Sequence, residues 1–326
     1  MSPEKKHELT QKLLLSARVP QEIPKGFDPL RASPEDLKSF GLPPRPKNTK
    51  DPKQSANWER LMSRPMKLVR PTFEVVKRKR GPLSRKVKQS KLEKPDCYYD
   101  EARAGAIIGL DDDSDNDNDD DNDDDNDDDS NSDYTFDSIN GTWVVPNPYP
   151  GSDGDYFYSA AWVGIDSEDT LQGGTEQDVT SAGDKDIYAW YEWLPSDAIK
   201  VNNFDVSPGD TVDCYVWTST DDDGNLKGNY YIYNWNSQLC TTVNFDPPDD
   251  VAFLGDTAQW ILDAGPIPMI GSVPFSMCGA EDSDDYLDLS SASTMDMTSD
   301  GTVNGELRFD AELEGDTTVI VYQDTL

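Results

Sequence analysis

Histidine is almost absent from this sequence, since His7 is the single one in 326 residues. Ser-His-Asp and Cys-His mechanisms need an imidazole as general base, so they are excluded beyond the first few residues. Histidine-based zinc sites are excluded for the same reason. The phosphate loop G-x-x-x-x-G-K-[ST] and the dinucleotide fingerprint G-x-G-x-x-G are also missing. Carboxylate chemistry, amide chemistry and binding alone remain.

Cysteine and long apolar runs are scarce as well. Cys97, Cys214, Cys240 and Cys278 show neither metal-ligand spacing nor a C-x-x-C motif, which favours free thiols although the even count is compatible with disulfides. The apolar run at residues 13–15 is far shorter than a secretory core of roughly 7–15 residues. No stretch approaches the roughly 20 apolar residues of a membrane span. We expect an intracellular protein without a membrane partner.

Basic residues are rare after residue 103. Residues 1–103 carry 25 Lys and Arg against 13 Asp and Glu, a net of +12, and the remainder carries 4 against 51, a net of −47, which together give −35. Opposite charges of this size predict that the basic arm is an intramolecular partner of the acidic body. The acidic body should repel nucleic acid, so any such contact is confined to the arm.

The composition divides the chain into three parts. Residues 1–103 are rich in Pro, Lys and Arg without a sustained amphipathic period, which predicts a mostly disordered arm with one short helix near residues 4–18. Its basic cluster at residues 77–88 has nuclear-import character, and a solvated tail folded back on the body and a dibasic processing site are alternative interpretations. Residues 104–133 form an Asp-rich linker, with 15 Asp in positions 111–133. The run has neither the Gly nor the Glu of an EF-hand loop, which favours a self-repelling spacer over a calcium site.

From residue 134 onward, short β-branched and aromatic runs alternate with Gly, Pro, Asn and Asp. This pattern predicts an all-β sandwich or barrel. Expected strands include FYSAAWVGI (157–165), IYAWYEWL (187–194), TVDCYVWTST (211–220), NYYIYNW (229–235), AQWIL (258–262) and TTVIVY (317–322). A carbohydrate-binding module with Trp190, Trp193 or Trp235 as stacking platforms is one interpretation of such a sandwich.

Six motifs in sequence order carry a more specific signal. They are INGTWVVPNPYP (139–150), YSAAWVGID (158–166), LQGGTEQ (171–177), YAWYEWLP (188–195), VSPGDTV (206–212) and GDTAQWILD (255–263). In this order residues 134–326 resemble the glutamic peptidase (eqolisin) family. The resemblance implies a concanavalin-like jelly-roll sandwich of two antiparallel sheets, proteolysis at acid pH, an extended polypeptide ligand, and no cofactor or metal.

The resemblance also implies roles for individual residues. Gln172 matches the glutamine whose amide stabilises the oxyanion, and Trp190 and Glu192 match positions that line the cleft. Asp166 and Glu176 are further substrate-binding candidates. A buried Glu192 needs a partner, and a hydrogen bond to Gln172 or Gln259 would supply one.

Gln259 marks the departure from the family pattern. It stands where the family has the glutamate that takes a proton from the attacking water. A neutral amide does not accept and return a proton near working pH. Two hypotheses follow: a catalytically impaired protein that still binds extended peptides, and an active acid endopeptidase that uses a displaced carboxylate such as Glu192.

Overall fold

The computed structural model describes residues 1–47, 52–76, 88–89, 97–109, 134–152, 154–249, 251–282 and 285–324. Helices occur near the N-terminus, and strands dominate the rest. The helices are α1 Pro3–Ser16, α2 Pro34–Ser39 and α3 Pro52–Met62, and a 3-10 turn spans Leu289–Ser291. The strands are β1 Lys67–Leu68, β2 Thr72–Val75, β3 Lys88–Gln89, β4 Cys97–Asp100, β5 Arg103–Ile108, β6 Ser138–Val144, β7 Tyr156–Ile165, β8 Leu171–Thr180, β9 Lys185–Trp193, β10 Ile199–Asn202, β11 Thr211–Thr220, β12 Leu226–Asn234, β13 Leu239–Phe245, β14 Ala258–Ala264, β15 Ser272–Glu281, β16 Tyr286–Leu287, β17 Ser293–Thr298, β18 Leu307–Leu313 and β19 Val319–Gln323.

The strands form two packed layers, as the alternating apolar pattern predicts. One layer runs β2-β10-β9-β8-β7-β14-β5-β17, and the other runs β18-β19-β15-β6-β11-β12-β13-β1. Contacts between the layers include Trp143 Nε1 donating to Thr175 Oγ1 at 2.9 Å and stacking of Tyr191 on Phe245 at 4.6 Å. The main core therefore fills the space between the two layers.

The expected pair of separate antiparallel sheets is wrong in detail. Pairing of β17 with both β5 and β18 joins the layers into one continuous hydrogen-bonded sheet. Among the described strands, β1 pairs with β13 and β4 with β17 in parallel, so the sheet is mixed. Both parallel partners come from residues before 103, where sequence analysis predicts no strand.

The described residues of the N-terminal arm include three helices and two strands up to residue 75, where sequence analysis expects one short helix. Helix α1 matches the short helix expected near residues 4–18. In α3, Trp58, Leu61 and Met62 share one face at the spacing of an amphipathic helix, and all three are buried. The prolines of this segment suggest a chain without helices, but three of them stand at the first positions of the helices, where proline is tolerated.

Cations of the arm pair with carboxylates of the body. These ion pairs are Lys6–Asp197, Lys12–Asp249, Lys38–Asp222, Lys47–Asp137, Lys53–Asp288, Lys53–Asp316 and Arg60–Asp213. Most are exposed, and exposed pairs contribute little individually. Arg60–Asp213 differs, because Asp213 is buried.

The start of the expected linker 104–133 is a strand of the sandwich. Strand β5, within the expected linker 104–133, pairs with β14 and β17. The Asp run at 111–133 and most of the basic cluster at 77–88 fall outside the described residues. A Cβ added to Gly109 would lie 3.3 Å from Tyr134, so the two ends of the stretch are adjacent.

Among the described residues, no helix is long and apolar enough to cross a membrane. All four cysteines are buried free thiols, as their spacing favours. Burial raises the pKa of Cys214 and Cys278 well above the usual range and that of Cys240 to about 12. These side chains therefore serve packing.

Candidate active site

The candidate residues lie in one row across four neighbouring strands. Gln259 on β14 is opposite Gly164 on β7, Gly164 is opposite Gln172 on β8, and Gln172 is opposite Glu192 on β9. Directly paired residues point to the same face of a sheet. Alternate residues of β8, including Gly173 and Thr175, contact the opposite layer, so the row faces away from the main core.

Gln172 and Glu192 form a direct pair on this face. Gln172 Nε2 donates to Glu192 Oε2 at 2.7 Å, and both side chains are buried. The partner expected for Glu192 is therefore Gln172. A carboxylate acceptor strengthens such a bond and fixes the orientation of the amide. One N–H of Gln172 is thus engaged, and the amide carries a second N–H.

Gln259 is held by a different set of acceptors. Its Nε2 donates to the backbone oxygen of Asp166 at 3.1 Å and to Thr257 Oγ1 at 3.0 Å. Thr257 lies two residues earlier, next to the start of β14, and projects to the same face. The site around residue 259 therefore matches an amide, whose two N–H groups meet two oxygen atoms.

Asp166 shapes the turn beneath Gln259. Its carboxylate accepts from four backbone N–H groups, at 2.6 and 2.9 Å on one oxygen and 2.9 and 3.0 Å on the other. Its φ of 80° places a non-glycine residue in the left-handed region, and the carboxylate bonds hold it there. Asp166 thus positions Gln259 through its carbonyl oxygen, and its side chain is fully used in holding this turn.

Gly164 lies between the two glutamines in the row. Gln172 and Gln259 are on strands two spacings apart, which corresponds to about 9.5 Å between their backbones. A Cβ on Gly164 would come within 3.0 Å of Gln172, Thr170 and Trp162. The glycine of the WVGID motif therefore lets the side chains of Gln172, Thr170 and Trp162 pack directly against the backbone of β7.

Trp190 and Glu176 lie on the same face at greater distance. Trp190 is two residues from Glu192 on β9 and packs in a cluster with Trp162, Tyr188 and Ile261. Glu176 is four residues beyond Gln172 on β8, about 13 Å along the strand, and is also buried. The structure brings Gln172, Glu192 and Gln259 into one row and places Trp190 beside it, while Glu176 lies further along.

The tryptophans proposed as carbohydrate platforms are all covered. Trp190 and Trp193 are fully buried. Trp235 is half-buried, and the guanidinium groups of Arg60 and Arg64 each lie 4.6 Å from its ring centroid. A sugar needs an open aromatic face, so the carbohydrate-binding interpretation does not fit these positions.

Sequence reasoning missed two contributors to this site. Thr257 carries half of the hydrogen bonding of Gln259, and the period of two along a strand was sufficient to indicate it. Val76 of the arm donates its N–H to Ala198 at 2.8 Å, next to the row that holds Glu192. No local signal in the sequence indicated that contact, because it joins residues that are 122 positions apart.

Comparison with known proteins extends this picture. The model of the Peptidase A4 family matches residues 129–322. Aspergillopepsin-2 of Aspergillus niger is 24% identical over 215 residues, with 57% of this chain and 73% of that protein covered. Scytalidopepsin B of Scytalidium lignicola is 30% identical over 89 residues, with 27% of this chain and 33% of that protein covered.

Solved structures agree in fold. Scytalido-glutamic peptidase with a transition state analog inhibitor aligns with a TM-score of 0.52 at 21% identity, covering 69% of this chain and 100% of that one. Its structure with a peptide-based transition state analog aligns with a TM-score of 0.51 at 20% identity and the same coverage. Fold and site together define a sandwich of the glutamic peptidase type. Because the family model spans more than half of the sequence, the chain belongs to the Peptidase A4 family.

Proposed function

We propose that this protein is a glutamic peptidase homologue that is impaired in hydrolysis and retains the binding of extended polypeptides. The single observation that carries the proposal is the amide of Gln259, donating to Asp166 and Thr257 in the row that also holds Gln172. General acid–base catalysis contributes about 10²–10⁴-fold to a rate, and a carboxamide supplies none of it.

The remaining parts of the row support peptide binding. Gln172 donates one N–H to Glu192 and carries a second, which supports a role as donor to a carbonyl oxygen of a bound peptide. Scytalido-glutamic peptidase has been crystallised with a peptide-based transition state analog, which supports an extended peptide as the ligand of this fold. Nucleic acid and membrane are not part of the proposal.

An intramolecular partner belongs to the same proposal. The arm carries a net charge of +12 and the rest of the chain −47. Pairs such as Lys6–Asp197 and Lys53–Asp288 join the two parts in the described residues. We therefore include the basic arm as a partner of the acidic domain, in competition with any external polypeptide of positive charge.

The test compares the full chain with the variants Gln259→Glu, Gln172→Ala and Gln259→Glu/Gln172→Ala. Each is incubated with a denatured protein between about pH 2 and 5, the range in which carboxyl groups titrate. We expect background cleavage by the unaltered chain, a gain in Gln259→Glu of about 10²-fold or more, and loss of that gain in Gln259→Glu/Gln172→Ala. Cleavage by the unaltered chain that disappears in Gln172→Ala would contradict impairment. Binding is followed separately as the anisotropy of a labelled extended peptide.

A second candidate is an active endopeptidase with Glu192 as the displaced base. The observation that favours it is the 2.7 Å bond between Gln172 and Glu192, because it places a carboxylate beside the oxyanion donor. This candidate requires cleavage by the unaltered chain that is abolished by the isosteric change Glu192→Gln. Unchanged background in both proteins rejects it, and circular dichroism checks that Glu192→Gln is folded.

A further inference from the structure

The arm covers the outer face of the layer formed by β11, β12 and β13. Residues of α2, α3 and the segment between them contact this face, which lies away from the main core. The arm and the sheet share one apolar cluster. The sheet contributes Trp217, Tyr231, Tyr233 and Cys240, and the arm contributes Leu37, Phe40, Leu42, Trp58, Leu61 and Met62. All of these side chains are buried, so this face of the sheet is an interior surface.

A buried ion pair lies beside that cluster. Arg60 of α3 donates to Asp213 Oδ1 at 3.1 Å, and Trp235 Nε1 donates to the other carboxylate oxygen at 2.7 Å. Thr142 also donates to Asp213. Asp213 is only 1% exposed, and burial raises its pKa against the opposing effect of Arg60. Removing the arm would leave this buried carboxylate without its counter-charge.

Helix α1 fastens the arm at a second place. Leu13 is 1% exposed and belongs to the main core of the sandwich. Thr10 Oγ1 accepts from the backbone N–H of Asp197 at 2.8 Å. Arg18 and Asn244 exchange both backbone hydrogen bonds, at 2.7 and 3.0 Å. The helix therefore fills core volume and occupies backbone groups of the body.

Strand β2 extends the layer that carries the candidate site. It pairs with β10 over four residues, and β10 in turn pairs with β9, which holds Glu192. Phe73 meets Tyr191 edge-on at 5.8 Å. Without β2, the backbone of β10 becomes an open edge beside the site.

From these contacts we infer that residues 1–76 are a permanent structural part of the β-sandwich domain. This segment packs on the outer face of the sandwich, and it stays bound to the rest of the protein when the chain is cut between residues 77 and 96. This inference does not depend on whether the protein hydrolyses peptides, because none of the contacts that carry it involves the side chain of Gln172 or Gln259.

The test uses the full chain with a site for a sequence-specific protease, flanked by Gly and Ser, inserted after Gly81. After cutting, which a denaturing gel verifies, size-exclusion chromatography is run in native buffer. We expect the N-terminal fragment to elute with the remainder and to separate only in denaturant. Elution of the fragment alone, with the remainder still folded by near-ultraviolet circular dichroism, would overturn the inference.

Matched variants test whether the Arg60–Asp213 ion pair holds the N-terminal fragment on the rest of the protein. Arg60→Met in the cut protein should weaken retention of the fragment roughly 100-fold or more, because a buried carboxylate loses its partner. Arg31→Met is the control, since Arg31 has an 89% exposed side chain. Adding Asp213→Asn to Arg60→Met should restore most of the retention by removing the unpaired charge. Equal retention in Arg60→Met and Arg31→Met would show that the pair does not fasten the arm.

Discussion

The amide of Gln259 donates to the carbonyl oxygen of Asp166, an atom that accepts hydrogen bonds and never donates them. A carboxylate in the same place faces this oxygen without a proton between them. The protonated carboxyl, by contrast, donates to it. The carbonyl oxygen of Asp166 therefore favours the protonated form of any acid that replaces Gln259 over the ionised form.

The first prediction concerns the pH profile of Gln259→Glu. The carbonyl of Asp166 should raise the pKa of the introduced carboxyl above its usual range, so base-dependent cleavage increases as pH rises through that value. Thr257→Val in the same background removes a hydroxyl donor and should move the profile to still higher pH. The measurement is kcat/KM against pH for both proteins, and a shift to lower pH would contradict the assignment.

The second prediction concerns Gly174 in the LQGG motif. A Cβ there would lie 2.1 Å from the carbonyl oxygen of Ala161 and 2.8 Å from the backbone of Trp162. Because backbone atoms cannot give way easily, Gly174→Ala should lower the free energy of unfolding by about 3 kcal/mol.

Gly265→Ala is the control for this change, since its Cβ would meet only the hydroxyl of Tyr158 at 3.6 Å. Urea denaturation of both variants checks the prediction. Equal midpoints would show that the β7–β8 pairing is wider than described.

The third prediction concerns Glu281. Burial raises the pKa of its carboxyl from 4.5 to about 7, the negative charge of Asp137 adds to the increase, and Lys47 opposes it. The folded state holds the proton more tightly than the unfolded state, so stability should fall as pH rises from about 4.5 to about 7 and stay level above. Glu281→Gln removes this fall, which amounts to at most about 3 kcal/mol.

Urea midpoints at pH 4.5 and 8 test the prediction, with Glu312→Gln as an exposed control. An unchanged difference between the two pH values in Glu281→Gln would contradict the assignment of Glu281 to this transition.

The fourth prediction concerns the thiols. Burial keeps Cys214, Cys240 and Cys278 protonated, and Cys97 is equally inaccessible. The thiolate is the reactive species. A disulfide reagent at pH 8 should therefore modify no cysteine in the native protein and all four in guanidinium chloride. Rapid modification of one thiol in native buffer would indicate local opening at that strand.

The sequence predicts the strands of the body well, because their alternating β-branched and aromatic residues are a local signal. TVDCYVWTST coincides with β11 at both ends, and FYSAAWVGI differs from β7 by one residue. The alignment of Gln172, Glu192 and Gln259 followed from the family resemblance, whereas their hydrogen bonds required the register of four strands.

The arm was the least predictable part. Its prolines and charges resemble those of a disordered segment, and its helices are stabilised by tertiary contacts more than by their own sequence. Trp58 and Arg60 have partners more than 150 positions away in Trp217 and Asp213. Patterns within a short stretch of sequence do not reveal partners at that separation.

The adjacency of Gly109 and Tyr134 has an evolutionary consequence. Because these two residues are adjacent, a change in the number of residues between them should leave the flanking strands in place, since each doubling of a loop costs only about 0.6 kcal/mol in closure entropy. We therefore expect relatives to differ more in the length of this stretch than in β5 and β6.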